Sequence, residues 1–156
     1  MRVGIGYDIH RLVKGRGLIL AGVKIPSSRG LLGHSDADVV LHALIDAIIG
    51  AVAKGDIGEH FPDTEKKFKN ISSIELLRET LKILRKERYK IGNIDLNIIL
   101  EEPKLRGLKI KMRQKLASLL NINLNVVNIK AKTNEGLDAV GQKKAIAVQA
   151  VVLIKK

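Results

Sequence analysis

The chain has 156 residues, of which 46% are hydrophobic, so it can bury the core of one domain, predicted over residues 1–156. It contains no cysteine, which excludes disulfides, thiolate nucleophiles and cysteine-based zinc sites. The formal net charge of +12 would suit nucleic acid, but the four aromatic residues offer little base stacking, so we attribute the charge to solubility and attraction of anionic substrates. No leader precedes the first strand and no stretch is apolar enough to span a bilayer, so we expect a cytoplasmic protein.

Hydrophobic periodicity and turn residues predict the first half of the chain. In order, we expect a strand over residues 2–9, a turn at 15–17, a strand over 18–25, a loop over 27–36 and an apolar helix over about 37–53. Residues 55–68 are rich in glycine and acids and are predicted to be a loop. A loop of this length in a small domain favours a functional role.

The second half alternates helices and strands. A helix should begin at Ser72, where Glu75 has capping-box spacing, and end near residues 89–92. The later elements are a strand over 93–102, a helix from Leu108 to Leu119 with a basic outer face (Lys109, Lys111, Arg113, Lys115), and strands over 126–132 and 145–154 joined by a loop over 133–144.

The last strand carries the prediction of fold class. Residues 145–154 are apolar on both faces apart from Gln149, whereas a sheet with one solvated face would alternate. We therefore predict an α+β sandwich with an aliphatic core, in which helices cover one face of a mixed or antiparallel sheet and partner subunits cover the other. The alternative is a central strand between two helical layers in a monomer.

The first strand carries a pair of metal-competent side chains, Asp8 and His10. Residues two apart on a strand share a face, so both groups can reach one cation. An isolated pair of this kind is more often a solvated strand end, so the hypothesis needs a third ligand.

The apolar helix offers that ligand. Asp38, His42 and Asp46 are four apart and lie on one helix face. His42 with the strand pair would complete an Asp/His/His tripod with an open position, the arrangement of catalytic zinc. Asp46 would orient an imidazole. The alternative is a core histidine with satisfied hydrogen bonds.

Two further groups of residues suit an anionic ligand. His34 and Ser35 precede the helix, where backbone amides bind phosphate, although Ser35 or Asp36 could simply cap the first turn. Residues 132–135 combine a cation, a hydroxyl, an amide and a carboxylate, which suits a phosphate and a second cation such as Mg²⁺, although this is also the composition of an ordinary turn.

The chain resembles the 2-C-methyl-D-erythritol 2,4-cyclodiphosphate synthase family from end to end. The matching segments are YDIHRL at 7–12, GHSDADVVLHALIDAIIGA at 33–51, GDIGEHFPDTE at 55–65 and KAKTNEGLDAVG at 130–141. Members make isoprenoid precursors by the methylerythritol phosphate route. They convert 4-diphosphocytidyl-2-C-methyl-D-erythritol 2-phosphate to the cyclic diphosphate and release CMP, as homotrimers with active sites between subunits.

The resemblance implies a role for each matching residue. Asp8, His10 and His42 would bind Zn²⁺, Glu135 would hold Mg²⁺ or Mn²⁺, and His34 and Thr133 would act in catalysis. The substrate-binding residues would be Asp8, Ile9, His10, His34, Ser35, Asp56, Ile57, Gly58, Phe61, Pro62, Asp63, Thr64, Glu65, Leu100, Glu101, Glu102, Pro103, Lys104, Leu105, Arg106, Lys132, Thr133, Asn134 and Glu135. Of these, residues 56–58 and 61–65 would hold the methylerythritol and residues 100–106 the cytidine.

Three positions depart from the family pattern. Ala139, Gln142 and Lys144 stand where many members have phenylalanine, arginine and glutamate, near a channel of the trimer that binds isoprenoid diphosphates in some members. The zinc tripod is intact, so the resemblance still implies cyclisation. A metal-dependent phosphohydrolase using the same tripod and a basic nucleic-acid-binding module are the alternative functions.

Overall fold

The computed structural model describes residues 1–62, 64–65, 68 and 71–156. Its strands are β1 (Arg2–Lys14), β2 (Leu18–Leu20), β3 (Val23–Ile25), β4 (Arg29–Leu31), β5 (Lys90–Ile99), β6 (Val127–Lys132) and β7 (Ala145–Lys155). Its helices are α1 (Val39–Ala51), α2 (Ile57–His60), α3 (Ser73–Lys86), α4 (Lys109–Leu120) and α5 (Asp138–Gly141), with a 3₁₀ turn at Leu124–Val126.

The main sheet has five strands in the order β4-β1-β7-β5-β6. The β5/β6 pair is parallel and the other pairs are antiparallel, while β2 and β3 form a separate hairpin. Helix α1 packs on β1 and β7, and α3 packs on α1. The predicted α+β class, with a mixed sheet and helices on one face, is therefore confirmed.

Two glycines let α1 lie directly on β1. A Cβ atom at Gly4 would lie 1.9 Å from the carbonyl oxygen of Ala47, and one at Gly6 would lie 2.0 Å from that of Ala43. Gly4 and Gly6 alternate with exposed residues along β1, so they share a strand face with Asp8. The helix backbone therefore rests against the strand face from which Asp8 projects.

The core is aliphatic, as predicted. Leu41, Leu44, Ile45 and Ile48 of α1 are fully buried, as are Leu96 and Ile98 of β5. These side chains meet the inner face of β7, where Ile146, Val148, Ala150, Val152 and Ile154 are buried. Among the described residues, no helix is long and apolar enough to cross a membrane. The cytoplasmic location stays a prediction.

On the opposite face of the sheet, β1 is apolar and exposed in the single chain, whereas Asp95, Asn97 and Lys130 make the β5–β6 part polar. Ile5 is 75% exposed and pairs with Val151, which is 42% exposed. Val3, Tyr7 and Ile9 lie on the same face of β1 and are also exposed. Side chains alternate between the two faces of β1. The residues between Val3, Ile5, Tyr7 and Ile9 therefore point toward α1. The face is therefore free to pack on another protein surface.

Two predicted boundaries are wrong in the first half. The strand expected over residues 18–25 is the β2–β3 hairpin, because Ala21 and Gly22 both have positive φ and turn the chain. The first strand continues past Ile9 to Lys14, because its end pairs with β4 inside the predicted loop. The predicted loops at 55–68 and 133–144 contain the short helices α2 and α5.

Two predictions for the longer helices need correction. The Ser72 side chain does cap α3 by accepting from Ile74 N, but Glu75 pairs with Arg78. On α4, Arg113 does not belong to the solvated basic face. Its Nε donates to the carbonyl of Val127 at 2.7 Å, because the end of α4 lies against the start of β6.

Asp38 caps α1 and joins it to the hairpin. Its buried carboxylate accepts from the backbone N–H groups of Val40 and Leu41, and from those of Ala21 and Gly22 across the fold. Burial raises the pKa of Asp38 to about 6, although the hydrogen bonds from Gly22, Leu41 and Ala21 oppose that shift. This side chain therefore sets where α1 begins.

Replacing Asp38 with alanine should lower the free energy of unfolding by at least about 3 kcal/mol, because buried N–H groups would lose their acceptor. The matched control is Ser72→Ala, which removes the cap of α3 and should cost only about 1 kcal/mol. Denaturant unfolding at fixed protein and metal concentration measures both. Equal losses in the two variants would contradict the proposed role of Asp38.

Candidate active site

Asp8, His10 and His42 converge where α1 crosses β1. Asp8 Oδ2 lies 3.1 Å from Nδ1 of His10 and 3.2 Å from Nδ1 of His42. One ligand atom from each residue lies within 4.8 Å of the other two, and the three side chains are half-buried. The close contact at Gly4 and Gly6 explains the convergence, since it sets α1 against the strand face that carries Asp8 and His10.

The donor set fits a divalent cation. Nδ1 of His10 is buried and makes no hydrogen bond of acceptable geometry among the described residues, although it faces Asp8 at 3.1 Å. Both imidazoles turn a nitrogen toward the same carboxylate oxygen, as they would around a metal ion. Two imidazoles and one carboxylate are typical of zinc sites that keep a position open for substrate. These three residues form a metal-binding triad.

The carboxylate of the triad is held in its charged form. Burial alone would raise the pKa of Asp8, but the adjacent imidazoles of His10 and His42 outweigh it and lower the pKa to about 2. Asp8 is therefore ionised at neutral pH even without a metal, as a ligand must be.

His42 is held on its second nitrogen as well. Nε2 lies 3.0 Å from the hydroxyl of Ser73 and 3.1 Å from that of Ser35. The Ser73 hydroxyl also hydrogen bonds to Asp36. Sequence reasoning missed Ser73, because it lies at the start of α3 and nothing in its local pattern distinguishes it from an ordinary helix-start serine.

A cavity of about 440 Å³ opens beside the triad. Its lining includes these predicted site residues: His10, His34, Ser35, His42, Ile57, Gly58, Phe61, Pro62 and Thr64. Gly33, Phe68, Ile71 and Leu76 complete the lining and were not predicted. The structure thus brings together the triad, His34 and Ser35, and most of the residues predicted to hold methylerythritol.

Two contacts hold the loops around this cavity. The Arg16 guanidinium donates to the carbonyls of Gly33 and Ser35 at 3.3 and 3.1 Å. Asp46 accepts from Ile57 N at 3.1 Å. The predicted role of Asp46 in orienting an imidazole is therefore wrong, because its carboxylate faces the start of α2. It anchors the loop after α1 instead.

Other predicted residues near this cavity have identifiable places. Asp56 is exposed and caps α2 by accepting from Glu59 N. Glu65 is exposed, and Asp63 lies outside the described residues. The Ile9 side chain is 44% exposed on the opposite sheet face, so only its backbone faces the triad side.

A second cavity, of about 190 Å³, is lined by seven of the residues predicted over 100–106 and 132–135, together with Lys109 and Ala131. Its walls are Leu100, Pro103, Lys104, Leu105, Arg106, Lys109, Ala131, Lys132 and Thr133, and four of these are cationic. Around it, Glu101 accepts from Asn134 N at 2.8 Å, and Thr133 donates to Glu135 at 2.6 Å. The hydrogen bond from Lys143 and the positive charge of Arg29 lower the pKa of Glu102. A basic concavity of this kind suits a phosphate-bearing ligand.

The two cavities lie apart in a single chain. Asp8 stands in one row of the sheet with Val148, Ile98 and Ala131, on four successive strands. Three strand spacings separate β1 from β6, which is about 14 Å. The triad and Thr133 therefore do not meet within one chain.

Comparisons with known proteins agree with this geometry. Residues 1–155 match the YgbB family. The chain belongs to the YgbB family. It is 53% identical over 156 residues to 2-C-methyl-D-erythritol 2,4-cyclodiphosphate synthase from Brachyspira hyodysenteriae, covering 100% of this chain and 99% of the relative.

Two solved structures are similar to the whole fold. One is 2C-methyl-D-erythritol-2,4-cyclodiphosphate synthase in a form with CDP bound (TM-score 0.92, 37% identity, 99% of this chain and 100% of that chain). The other is the bifunctional IspDF from Campylobacter jejuni (TM-score 0.95, 42% identity). The match covers 99% of this chain but only 42% of that longer protein. This chain therefore has the same fold as these two solved structures.

Proposed function

We propose that this protein is a 2-C-methyl-D-erythritol 2,4-cyclodiphosphate synthase, with one synthase domain over residues 1–156. It converts 4-diphosphocytidyl-2-C-methyl-D-erythritol 2-phosphate to the cyclic diphosphate and releases CMP, in isoprenoid biosynthesis. The observation that carries the proposal is the triad of Asp8, His10 and His42 beside a cavity, in a chain 53% identical along its length to a synthase of that name. The CDP-bound form of a similar structure supports a cytidine diphosphate-linked substrate.

Two metal ions belong to this proposal. The triad would hold Zn²⁺, because two imidazoles and a carboxylate suit zinc, and Glu135 would hold Mg²⁺ or Mn²⁺, which prefer oxygen ligands. When bound, such cations neutralise charge on the phosphates during transfer.

The chain's own residues fold the substrate and bind its phosphates. An oxygen of the substrate's 2-phosphate attacks the phosphorus of the diphosphate that is bonded to methylerythritol. The bond from that phosphorus to the bridging oxygen of the diphosphate breaks, and CMP leaves with this oxygen as an anion. No side-chain nucleophile or water is consumed. His34 and Ser35 would bind phosphate beside the triad, and Thr133 would position the diphosphate. Positioning the two reacting groups is the main contribution, since both belong to one substrate.

We further propose that the active protein is a homotrimer with sites between subunits. Two observations support this. The face carrying Val3, Ile5, Tyr7 and Val151 is apolar and exposed, and exposed patches of this kind mark interaction surfaces. Three strand spacings, about 14 Å, separate β1, which carries Asp8 and His10, from β6, which precedes Thr133, so a neighbouring subunit would have to supply the second half of each site.

Replacing Ile5 with aspartate should convert the trimer to monomers, because the charge would be buried in the subunit interface. We expect CMP release to fall by about 100-fold, since the two halves of the site would no longer be held together, while zinc binding persists. The matched control is Ile110→Asp on α4, where Ile110 is 50% exposed. Sedimentation of both variants measures the assembly. An active Ile5→Asp monomer would contradict the proposal.

Substrate turnover tests the function. Metal-loaded protein should release CMP and cyclic diphosphate in equal amounts, as measured by ³¹P NMR, and a chelator should stop the reaction. A linear phosphate product would favour the phosphohydrolase. Binding of nucleic acid that weakens with salt and ignores the chelator, in a protein without turnover, would favour the nucleic-acid module.

A further inference from the structure

We propose that Ser73, held by Asp36, is a positioning residue that fixes the tautomer of His42 so that Nδ1 can bind metal. The inference rests on the proposed metal site and concerns residues outside the triad. The two ring nitrogens of His42 have different partners. Nδ1 faces Asp8 at 3.2 Å, and Nε2 faces the Ser73 hydroxyl at 3.0 Å.

The direction of these hydrogen bonds follows from counting protons. A carboxylate can only accept, and Asp36 accepts from the Ser73 hydroxyl, from Ser73 N at 3.1 Å and from the Ser72 hydroxyl at 3.2 Å. The single hydroxyl proton of Ser73 is therefore directed at Asp36. Toward His42 the same oxygen can only accept, so Nε2 must carry a hydrogen.

Ser35 fits this arrangement. Its hydroxyl oxygen accepts from Ala37 N at 3.0 Å and lies 3.1 Å from Nε2 of His42. The oxygen therefore has a lone pair available for the same N–H group. Both serines then act as acceptors around Nε2.

The consequence appears at the other side of the ring. A neutral imidazole carries one proton, so a hydrogen on Nε2 leaves a lone pair on Nδ1. Without a metal, Asp8 would favour the opposite tautomer, because its carboxylate accepts from an Nδ1–H group. The contact from Ser73 opposes Asp8 and keeps Nδ1 ready to coordinate.

The contact also links two parts of the fold. Asp36 precedes α1, which carries His42, and Ser73 is the first residue of α3. Asp36 accepts from the first turn of α3, so the start of this helix is fixed against the ring. Partners of this kind on the second nitrogen of metal-binding histidines change metal affinity by about 10- to 100-fold.

The test compares Ser73→Ala, Ser73→Thr and Ser72→Ala. Removing Ser73 should allow Ser35 to donate to Nε2, so that His42 of the metal-free protein shifts toward the Nδ1–H form in ¹⁵N NMR. Zinc affinity, measured by chelator competition, should fall by about 10- to 100-fold. Threonine keeps the hydroxyl and should preserve both readouts.

Ser72→Ala is the matched control. It removes a neighbouring hydroxyl that also donates to Asp36 and caps α3, but that does not contact the ring. It should lower stability and leave the tautomer unchanged. An Nδ1–H signature for His42 in the metal-free wild-type protein would overturn the proposal without any variant. So would an equal loss of zinc affinity in the Ser72 and Ser73 variants. These readouts need no substrate, so failure of the synthase proposal would be seen separately, in turnover.

Discussion

Replacing His42 with alanine should abolish stoichiometric zinc binding and lower the rate of CMP release by at least about 1,000-fold. Two ligands, Asp8 and His10, would remain on β1, which is too few to hold zinc tightly. The substrate phosphates would then lose the cation that neutralises their charge. The expected loss of rate is larger than the loss from removing one hydrogen-bond donor, because the cation's entire contribution to the rate would disappear. Metal analysis of the purified variant and a CMP assay measure both parts.

His60→Ala is the matched control for this prediction. His60 lies in α2, and its Nε2 contacts the carbonyl of Lys54 at 2.7 Å, away from the triad. This variant should keep one zinc per chain and most of its activity. Wild-type activity or full zinc content in His42→Ala would show that the triad is not the functional metal site.

Replacing Gly6 with alanine should destabilise the protein by about 3 kcal/mol or more and weaken zinc binding at least about 10-fold. The new Cβ would lie 2.0 Å from the carbonyl oxygen of Ala43 and 2.8 Å from the N of Ala47, and both atoms are helix backbone. The helix must therefore move away from β1. Because His42 lies on that helix and Asp8 on that strand, the ligands would separate.

Gly50→Ala is the control within the same helix. The nearest atom to a Cβ at Gly50 is the carbonyl oxygen of Ile5, at 4.0 Å, which is ordinary contact distance. Alanine is the better helix former, so we expect unchanged or higher stability, by up to about 1 kcal/mol. Denaturant unfolding and zinc titration compare the two variants. If Gly6→Ala had wild-type stability and zinc affinity, the close packing of α1 on β1 would not determine the positions of the triad side chains.

Local patterns made Asp8, His10 and His42 candidates for a metal site, because the first two share a strand face and His42 lies between two acids on one helix face. Spacing alone left a core histidine as the alternative, and the family resemblance pointed to the zinc triad. What brings the helix to the strand was not predicted. The sequence does not show why Gly4 and Gly6 matter, because the effect of a missing Cβ depends on which backbone packs above it.

The contacts that support the site were the least predictable part. Ser73 and Arg16 act across the fold on His42 and on the loop of Gly33 and Ser35, and sequence spacing carries no signal for such contacts. Asp46 shows the opposite error. Its place on the same helix face as His42 suggested an imidazole partner, but the chain after α1 returns to the helix and Ile57 N donates to its carboxylate.

Turnover in ¹⁸O-labelled water tests the central claim most directly. Intramolecular transfer uses an oxygen of the substrate's own 2-phosphate, so we predict CMP and cyclic diphosphate that both lack the label when analysed by mass spectrometry. A hydrolase working through the same triad would place one labelled oxygen in a linear product. Label in the phosphate products would therefore contradict the synthase account, even if CMP release required the metal.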